Sequence, residues 1–337
     1  MQPLAHGGDL AAARRMFPGA PQPFIDLSTG INPHPWLHPR PLPALPPEIF
    51  SRLPDRASIR ALAAAAAGAY GAPSPDHVVP APGTQILLPQ VAALLKPGRA
   101  AILRTTYAEH ARAAELAGHA VTVVSDIDQL ANASLAVVVN PNNPDGRIVG
   151  KSDLLRIADR LDQNRGVLVV DESFADMAPD ISLAGETHRE NIVVLRSFGK
   201  FYGLAGLRLG FAIASPALAG RLDAVLGPWA VAGPAVAIGQ KALADSEWKR
   251  QALERLASDA KKLDELLIAA GLEIAGGTSL FRLTRSQDAG ALFDRLGRAG
   301  ILVRRFAEEP TWLRWGLPAD DNAWQRLSAA LGRGGRD

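Results

Sequence analysis

An α/β fold with a mostly parallel sheet follows from two observations on this chain of 337 residues. Short β-branched runs alternate with segments of helical periodicity, and the residues able to do chemistry stand just after those runs. From Pro33 to Pro54 prolines are dense and glycine is absent, a composition that predicts an extended crossing segment rather than helix or strand. Beyond it the pattern predicts helices over Arg60–Tyr70, Ile86–Leu95, Ala108–Ala117 and Asp153–Asp162. Between them, Ala100–Leu103, Ala120–Val124, Leu135–Val139, Val167–Val170, Ile192–Leu195 and Gly210–Ala214 are short and apolar enough to be buried strands. After Gly227-Pro228 the pattern becomes a long charged amphipathic helix, roughly Gly239 to Gly271, then shorter elements beyond Gly276-Gly277. We therefore divide the chain into an N-terminal segment (1–35), a large domain (36–228) and a small C-terminal domain (229–337).

Composition excludes several classes of function. Apolar residues make up 47% and charged residues 21%, the balance of an ordinary globular protein. The net charge is +2, with Lys and Arg interspersed among Asp and Glu, so no nucleic-acid footprint is expected. There is no cysteine, which removes disulfides, thiolate metal sites and cysteine nucleophiles. The seven histidines are scattered without ligand spacing, and no metal is expected. Met1–Phe17 lacks the apolar core of a signal peptide, and Val225–Gly239 is too short and too broken by Gly and Pro to span a bilayer. The expected compartment is the cytoplasm.

Four features fall where an α/β sheet presents its ligand-binding groups. Pro82-Gly83-Thr84-Gln85 is a glycine turn opening a helix, where free N–H groups and the helix dipole favour a phosphate, although an ordinary cap has the same appearance. Asn140-Pro141-Asn142-Asn143-Pro144-Asp145-Gly146 follows a strand; Asn143, held before a proline, can aim its amide at a ligand oxygen, whereas the bland alternative is a turn. Asp171 ends the run Val167–Val170, and a carboxylate there needs a cationic or donor partner. Lys200 lies in Ser197-Phe198-Gly199-Lys200-Phe201-Tyr202-Gly203, whose apolar flanks can desolvate the amine, with Arg208 downstream suited to a phosphate.

Taken in order, these residues resemble the class I/II pyridoxal-phosphate aminotransferase family over essentially the whole chain, the Ser197, Lys200 and Arg208 pattern being the specific part. The resemblance implies the type I fold of pyridoxal-phosphate transferases: a large cofactor-binding domain with a mostly parallel sheet flanked by helices, plus a smaller α+β C-terminal domain. It implies pyridoxal 5′-phosphate as cofactor, Lys200 as the lysine that carries it as a Schiff base, and Asp171 as the partner of its pyridine nitrogen. Asn143 would bond the phenolic oxygen. Gly83, Thr84, Gln85, Ser197 and Arg208 would hold the phosphate region, and Tyr107 would stack on the ring. It also implies a homodimer and an N-terminal segment near the active site.

Within that family three segments resemble the decarboxylases of phosphorylated amino acids: the opening His6-Gly7-Gly8 followed by Asp26-Leu27-Ser28-Thr29-Gly30-Ile31-Asn32-Pro33, the lysine loop Ser197-Phe198-Gly199-Lys200-Phe201, and Asp171-Glu172-Ser173-Phe174. Most aminotransferases carry a tyrosine where Phe174 stands. By the same resemblance Arg314 would meet a substrate carboxylate and Arg304 a substrate phosphate, with Arg305 its rival, and His6, Gly7, Asn32 and Asn143 would also touch the substrate. One departure is Leu53 before Pro54-Asp55, where relatives use a tyrosine that reaches the neighbouring subunit's cofactor phosphate. The competing reading is an aminotransferase for a phosphate-bearing substrate. A non-catalytic regulator of this fold would need a DNA-binding domain ahead of it, which the sequence before His6 does not accommodate.

Overall fold

The computed structural model describes residues 7–37 and 45–332; the expectation for His6 lies outside the described residues. These residues form two compact units. One takes in residues 7–34, 144–146 and 250–332, the other residues 35–37, 45–143 and 147–249.

In chain order the strands are β1 (Ile25–Leu27), β2 (Val78–Ala81), β3 (Arg99–Leu103), β4 (Ala120–Val124), β5 (Leu135–Val139), β6 (Val167–Asp171), β7 (Ile192–Ser197), β8 (Gly210–Ala214), β9 (Glu273–Thr278), β10 (Phe281–Arg285), β11 (Ile301–Arg305) and β12 (Trp312–Gly316). The larger unit holds a seven-stranded sheet in the order β2-β8-β7-β6-β5-β3-β4. All its neighbours pair in parallel except β8, which runs antiparallel to both β2 and β7. Every residue of β5 to β8 is buried, so helices must cover both faces, as contiguous β-branched runs demand. On one face Leu87, Leu88 and Val91 of the Thr84–Ala93 helix pack with Ala113 and Leu222 over Ile102, Val137, Val169 and Leu195. Burying each Leu or Val of such a layer contributes about 1.5–3 kcal/mol.

The Arg56–Tyr70 helix starts where Asp55 accepts from the Ser58 N–H at 2.7 Å and stops at Gly71, whose φ of 73° few other residues adopt. The smaller unit holds a five-stranded sheet, β1-β11-β12-β10-β9, antiparallel apart from the β1–β11 pair. This α/β unit and α+β unit are the fold class expected.

Three expectations need correction. The long helix expected over Gly239–Gly271 is two helices, Gly233–Leu243 and Ser246–Ala269. Asp245 caps the second by accepting from the Trp248 N–H at 3.0 Å, while its other oxygen accepts from the Trp36 indole at 3.0 Å. The Gly233–Leu243 helix, expected in the small domain from 229 onward, packs in the larger unit instead, because Gly239 lets it approach Leu62 and Leu209 closely. Within the proline-rich segment Glu48–Ser51 forms a short helix behind Pro47, whose fixed φ suits a helix start. Among the described residues no helix is long and apolar enough to cross a membrane.

Candidate active site

Strand register lines up one end of the larger sheet. Ser197 pairs with Gly210 on β8, Gly210 pairs with Ala81 on β2, and Asp171 pairs with Leu195 and Val139. Beyond Ala81 the chain turns through Gly83 at φ 87° into the helix that begins at Thr84. A Cβ on Gly83 would lie 2.6 Å from Nη2 of Arg208, and one on Gly210 would lie 2.6 Å from the Thr84 nitrogen. Gly83 thus makes room for the guanidinium and Gly210 for the helix N-terminus at Thr84, a cradle suited to a phosphate. Arg208 itself is exposed and takes the left-handed conformation at φ 51°.

Gln85 accepts from the Tyr107 hydroxyl at 3.0 Å and donates to Glu109 Oε2 at 3.0 Å, which fixes the tyrosine ring. The Tyr107 ring meets His110 edge-on, with centroids 6.1 Å apart. Nε2 of His110 stands 2.9 Å from Asp171 Oδ2. Asp171 Oδ1 accepts from the Ser173 N–H at 3.0 Å and from the Ser173 hydroxyl at 2.5 Å. Burial opposes ionisation of this carboxyl, yet the hydrogen bonds from His110 and Ser173 outweigh it and hold it below the usual carboxylate range. A buried carboxylate that stays ionised, with acceptor capacity left over, fits a protonated ring nitrogen. Lys200 is half-buried, its ammonium 5.6 Å from the centre of the buried Phe174 ring. These contacts and the Gly83 cradle fit pyridoxal phosphate.

Asn143 is held by the loop around it. The Asn140 carboxamide bonds both backbone groups of Val149, and the Asn142 side chain bonds Thr106 Oγ1 and the Thr105 carbonyl.

The substrate-binding candidates fall in the smaller unit. Arg314, nearly buried, donates to the Ser28 carbonyl at 2.8 Å and lies over the Phe281 ring at 5.2 Å. Gly7 is pressed against the same Ser28 carbonyl, and the Gly8 N–H donates to the Ser28 hydroxyl at 2.7 Å. Asn32 is buried and accepts from the His34 N–H at 2.9 Å. Arg304 pairs directly with Arg314 across β11 and β12, so the two guanidiniums leave the same face of that sheet. Arg305 points to the other face, 4.6 Å above the Phe293 ring. Sequence reasoning missed His110, Ser173 and Ser28. Only His110 carried a signal, a histidine one helical turn after Tyr107.

The family described as aminotransferase class I and II matches residues 22–330. The chain belongs to this family. It is 46% identical over 338 aligned residues to a threonine-phosphate decarboxylase of Sinorhizobium sp, covering 98% of each chain. It is 31% identical to a histidinol-phosphate aminotransferase of Geotalea uraniireducens, covering 86% of each. The crystal structure of histidinol-phosphate aminotransferase from Sinorhizobium meliloti in complex with pyridoxal-5′-phosphate superposes with a TM-score of 0.81 at 22% identity, over 97% of this chain and 94% of that one. That likeness establishes the fold type.

Proposed function

We propose that the protein decarboxylates L-threonine O-3-phosphate to (R)-1-aminopropan-2-yl phosphate and carbon dioxide, with pyridoxal 5′-phosphate as cofactor, in cobalamin biosynthesis. The observation that carries this reading is the 46% identity to a threonine-phosphate decarboxylase over 98% of both chains, against 31% to a histidinol-phosphate aminotransferase. Phe174, where most aminotransferases have tyrosine, agrees with it.

Once bound, pyridoxal phosphate supplies an electron sink for the pair released from a bond at Cα. Lys200 would hold the cofactor covalently through its amine, and the same amine would be the group that returns a proton to the substrate's Cα. Asp171 remains ionised and keeps the ring nitrogen protonated. Gly83, Thr84, Ser197 and Arg208 hold the cofactor phosphate, Gln85 and Tyr107 set the ring's stacking partner, and Asn143 donates to the phenolic oxygen and reaches the substrate. Arg314 takes the substrate carboxylate through its planar fork, and Arg304 takes the substrate phosphate. Their shared sheet face supports Arg304 over Arg305 for that role. Which Cα bond breaks depends on how these arginines orient the substrate. Gly7, Asn32 and His6 complete the substrate-binding set.

We further read the protein as a cytoplasmic homodimer. Exposed Phe50, Leu53 and Trp229 in the larger unit support a partner surface, Phe50 lying on the short helix against which Gly233 packs. Carbon dioxide release from L-threonine O-3-phosphate, run beside 2-oxoglutarate-dependent amino transfer from histidinol phosphate, tests the assignment. Stoichiometric release that Lys200→Ala abolishes is the expected result. Amino transfer without carbon dioxide would overturn the decarboxylase reading and leave the family membership intact.

A further inference from the structure

We propose that Gly276 and Gly277 are positioning residues that set the place of Asn143 by clamping the three residues after it. This rests on the assignment of Asn143 to the cofactor's phenolic oxygen. Pro144–Gly146 belong to the same compact unit as β9, and within that unit the two backbones touch. A Cβ on Gly276 would overlap the carbonyl of Asp145, and a Cβ on Gly146 would overlap the carbonyl of Gly277. Both glycines of the pair lie at φ near 150°, a region side chains rarely adopt. The register of β9 on β10 slips by one residue beside them, Leu283 facing Gly276 and Thr284 facing Ile274, so Ala275 is extra. Such a bulge bends the strand locally, and here the bent residues are those that meet the loop.

Asn143 is thereby fixed from both directions along the chain. On its N-terminal side Asn140 and Asn142 tie the loop to Val149, Thr105 and Thr106. On its C-terminal side a single residue, Pro144, separates it from the backbone packed on Gly276 and Gly277. No side chain intervenes at either overlap, so a methyl group on Gly276 cannot be absorbed by a rotamer change. The loop would have to retreat by on the order of 1 Å, a misplacement large enough to weaken a positioned hydrogen bond severely.

A donor on the phenolic oxygen draws charge from it and loosens the proton shared between that oxygen and the Lys200 nitrogen. Loss of the donor therefore moves that proton's titration to higher pH. The experiment is a pH titration of the visible absorption of bound pyridoxal phosphate in the wild type, Asn143→Ala, Gly276→Ala and the double variant. Gly290→Ala serves as control, since a Cβ there meets nothing within 4 Å. Both single variants should move the titration upward by about one unit, a tenfold change in proton affinity, and the double variant no further than Asn143→Ala. The control should titrate as wild type. A folded, cofactor-bound Gly276→Ala that titrates as wild type overturns the clamp. A wild type that takes up no pyridoxal phosphate instead overturns the cofactor reading itself. Should Gly276→Ala fail to fold, hydrogen exchange on the unmodified holoenzyme decides: the amides of residues 145–146 should be as protected as those of 276–277, and fast exchange at 145–146 alone refutes the clamp.

Discussion

Replacing His110 by phenylalanine isolates what holds Asp171 ionised. The histidine and the carboxylate are both buried, 2.9 Å apart, and among the described residues Ser173 supplies the carboxylate's other hydrogen bonds. A hydrogen bond to a charged group is worth about 1.5–3 kcal/mol, which corresponds to roughly one to two pKa units. Without it, burial dominates and the Asp171 carboxyl moves up from its lowered value. A carboxyl whose folded pKa is depressed contributes stability that is present above its unfolded pKa and lost as pH falls through the folded one. The wild type should therefore exceed His110→Phe by about 2 kcal/mol at pH 7, and the gap should close as pH drops below about 4. Urea unfolding midpoints at a series of pH values measure it. A gap that stays constant down to pH 3 would refute the argument, because the loss would then come from packing. If Asp171 keeps the ring nitrogen protonated, turnover should also fall at least tenfold, and His110→Gln, which retains a donor, should recover part of it.

Gly83→Ala places a methyl group 2.6 Å from the Arg208 guanidinium at a position with φ 87°, so affinity for pyridoxal phosphate should fall by tenfold or more in a fluorescence titration, and unchanged affinity would remove the cradle from the cofactor site. Arg304→Ala should raise KM for L-threonine O-3-phosphate by about a hundredfold while Arg305→Ala leaves it within a few fold, a charge-assisted phosphate contact being worth about 3 kcal/mol. The reverse order in steady-state kinetics would exchange their roles. Arg196→Met strands the buried Glu172 and Asp176 carboxylates, which lie 3.0 and 3.2 Å from its guanidinium, and should cost about 3–5 kcal/mol in urea unfolding. Burial already raises the Glu172 pKa against the pull of Arg196, so this loss should grow from pH 5 to pH 8; a loss that shrinks over that range would exclude a stranded charge.

The strands that sequence pattern placed to the residue, Ala120–Val124, Leu135–Val139 and Gly210–Ala214, are short β-branched runs closed by turn formers. Val78–Ala81 escaped the same reading because Pro80 argues against a central strand; it is an edge strand, where a proline costs no ladder bond. Asp171 was legible as a carboxylate at a strand end, whereas its partner His110 lies 61 residues away, and no local spacing encodes that pair. Arg304 and Arg305 could not be told apart in sequence. The register of β11 on β12 separates them, since adjacent residues of a strand leave opposite faces.

That same alternation organises the end of the larger sheet. Asp171 and Glu172 are adjacent, as are Arg196 and Ser197, so each pair divides between the two sides of the sheet. Asp171 meets His110, and Ser197 pairs with Gly210 beside the Gly83 cradle. Glu172 turns the other way, to Arg196, the Ser182 hydroxyl and the Leu183 N–H, and Arg196 also covers the Tyr70 ring at 4.3 Å. A buried ion pair gives little net stability over an apolar filling, but it is intolerant of displacement, because any slip strands a charge. A one-residue slip of β6 against β7 would strand Glu172 and turn Asp171 away from His110 together. The ionic cluster on one side of the sheet therefore penalises the register errors that would dismantle the site on the other.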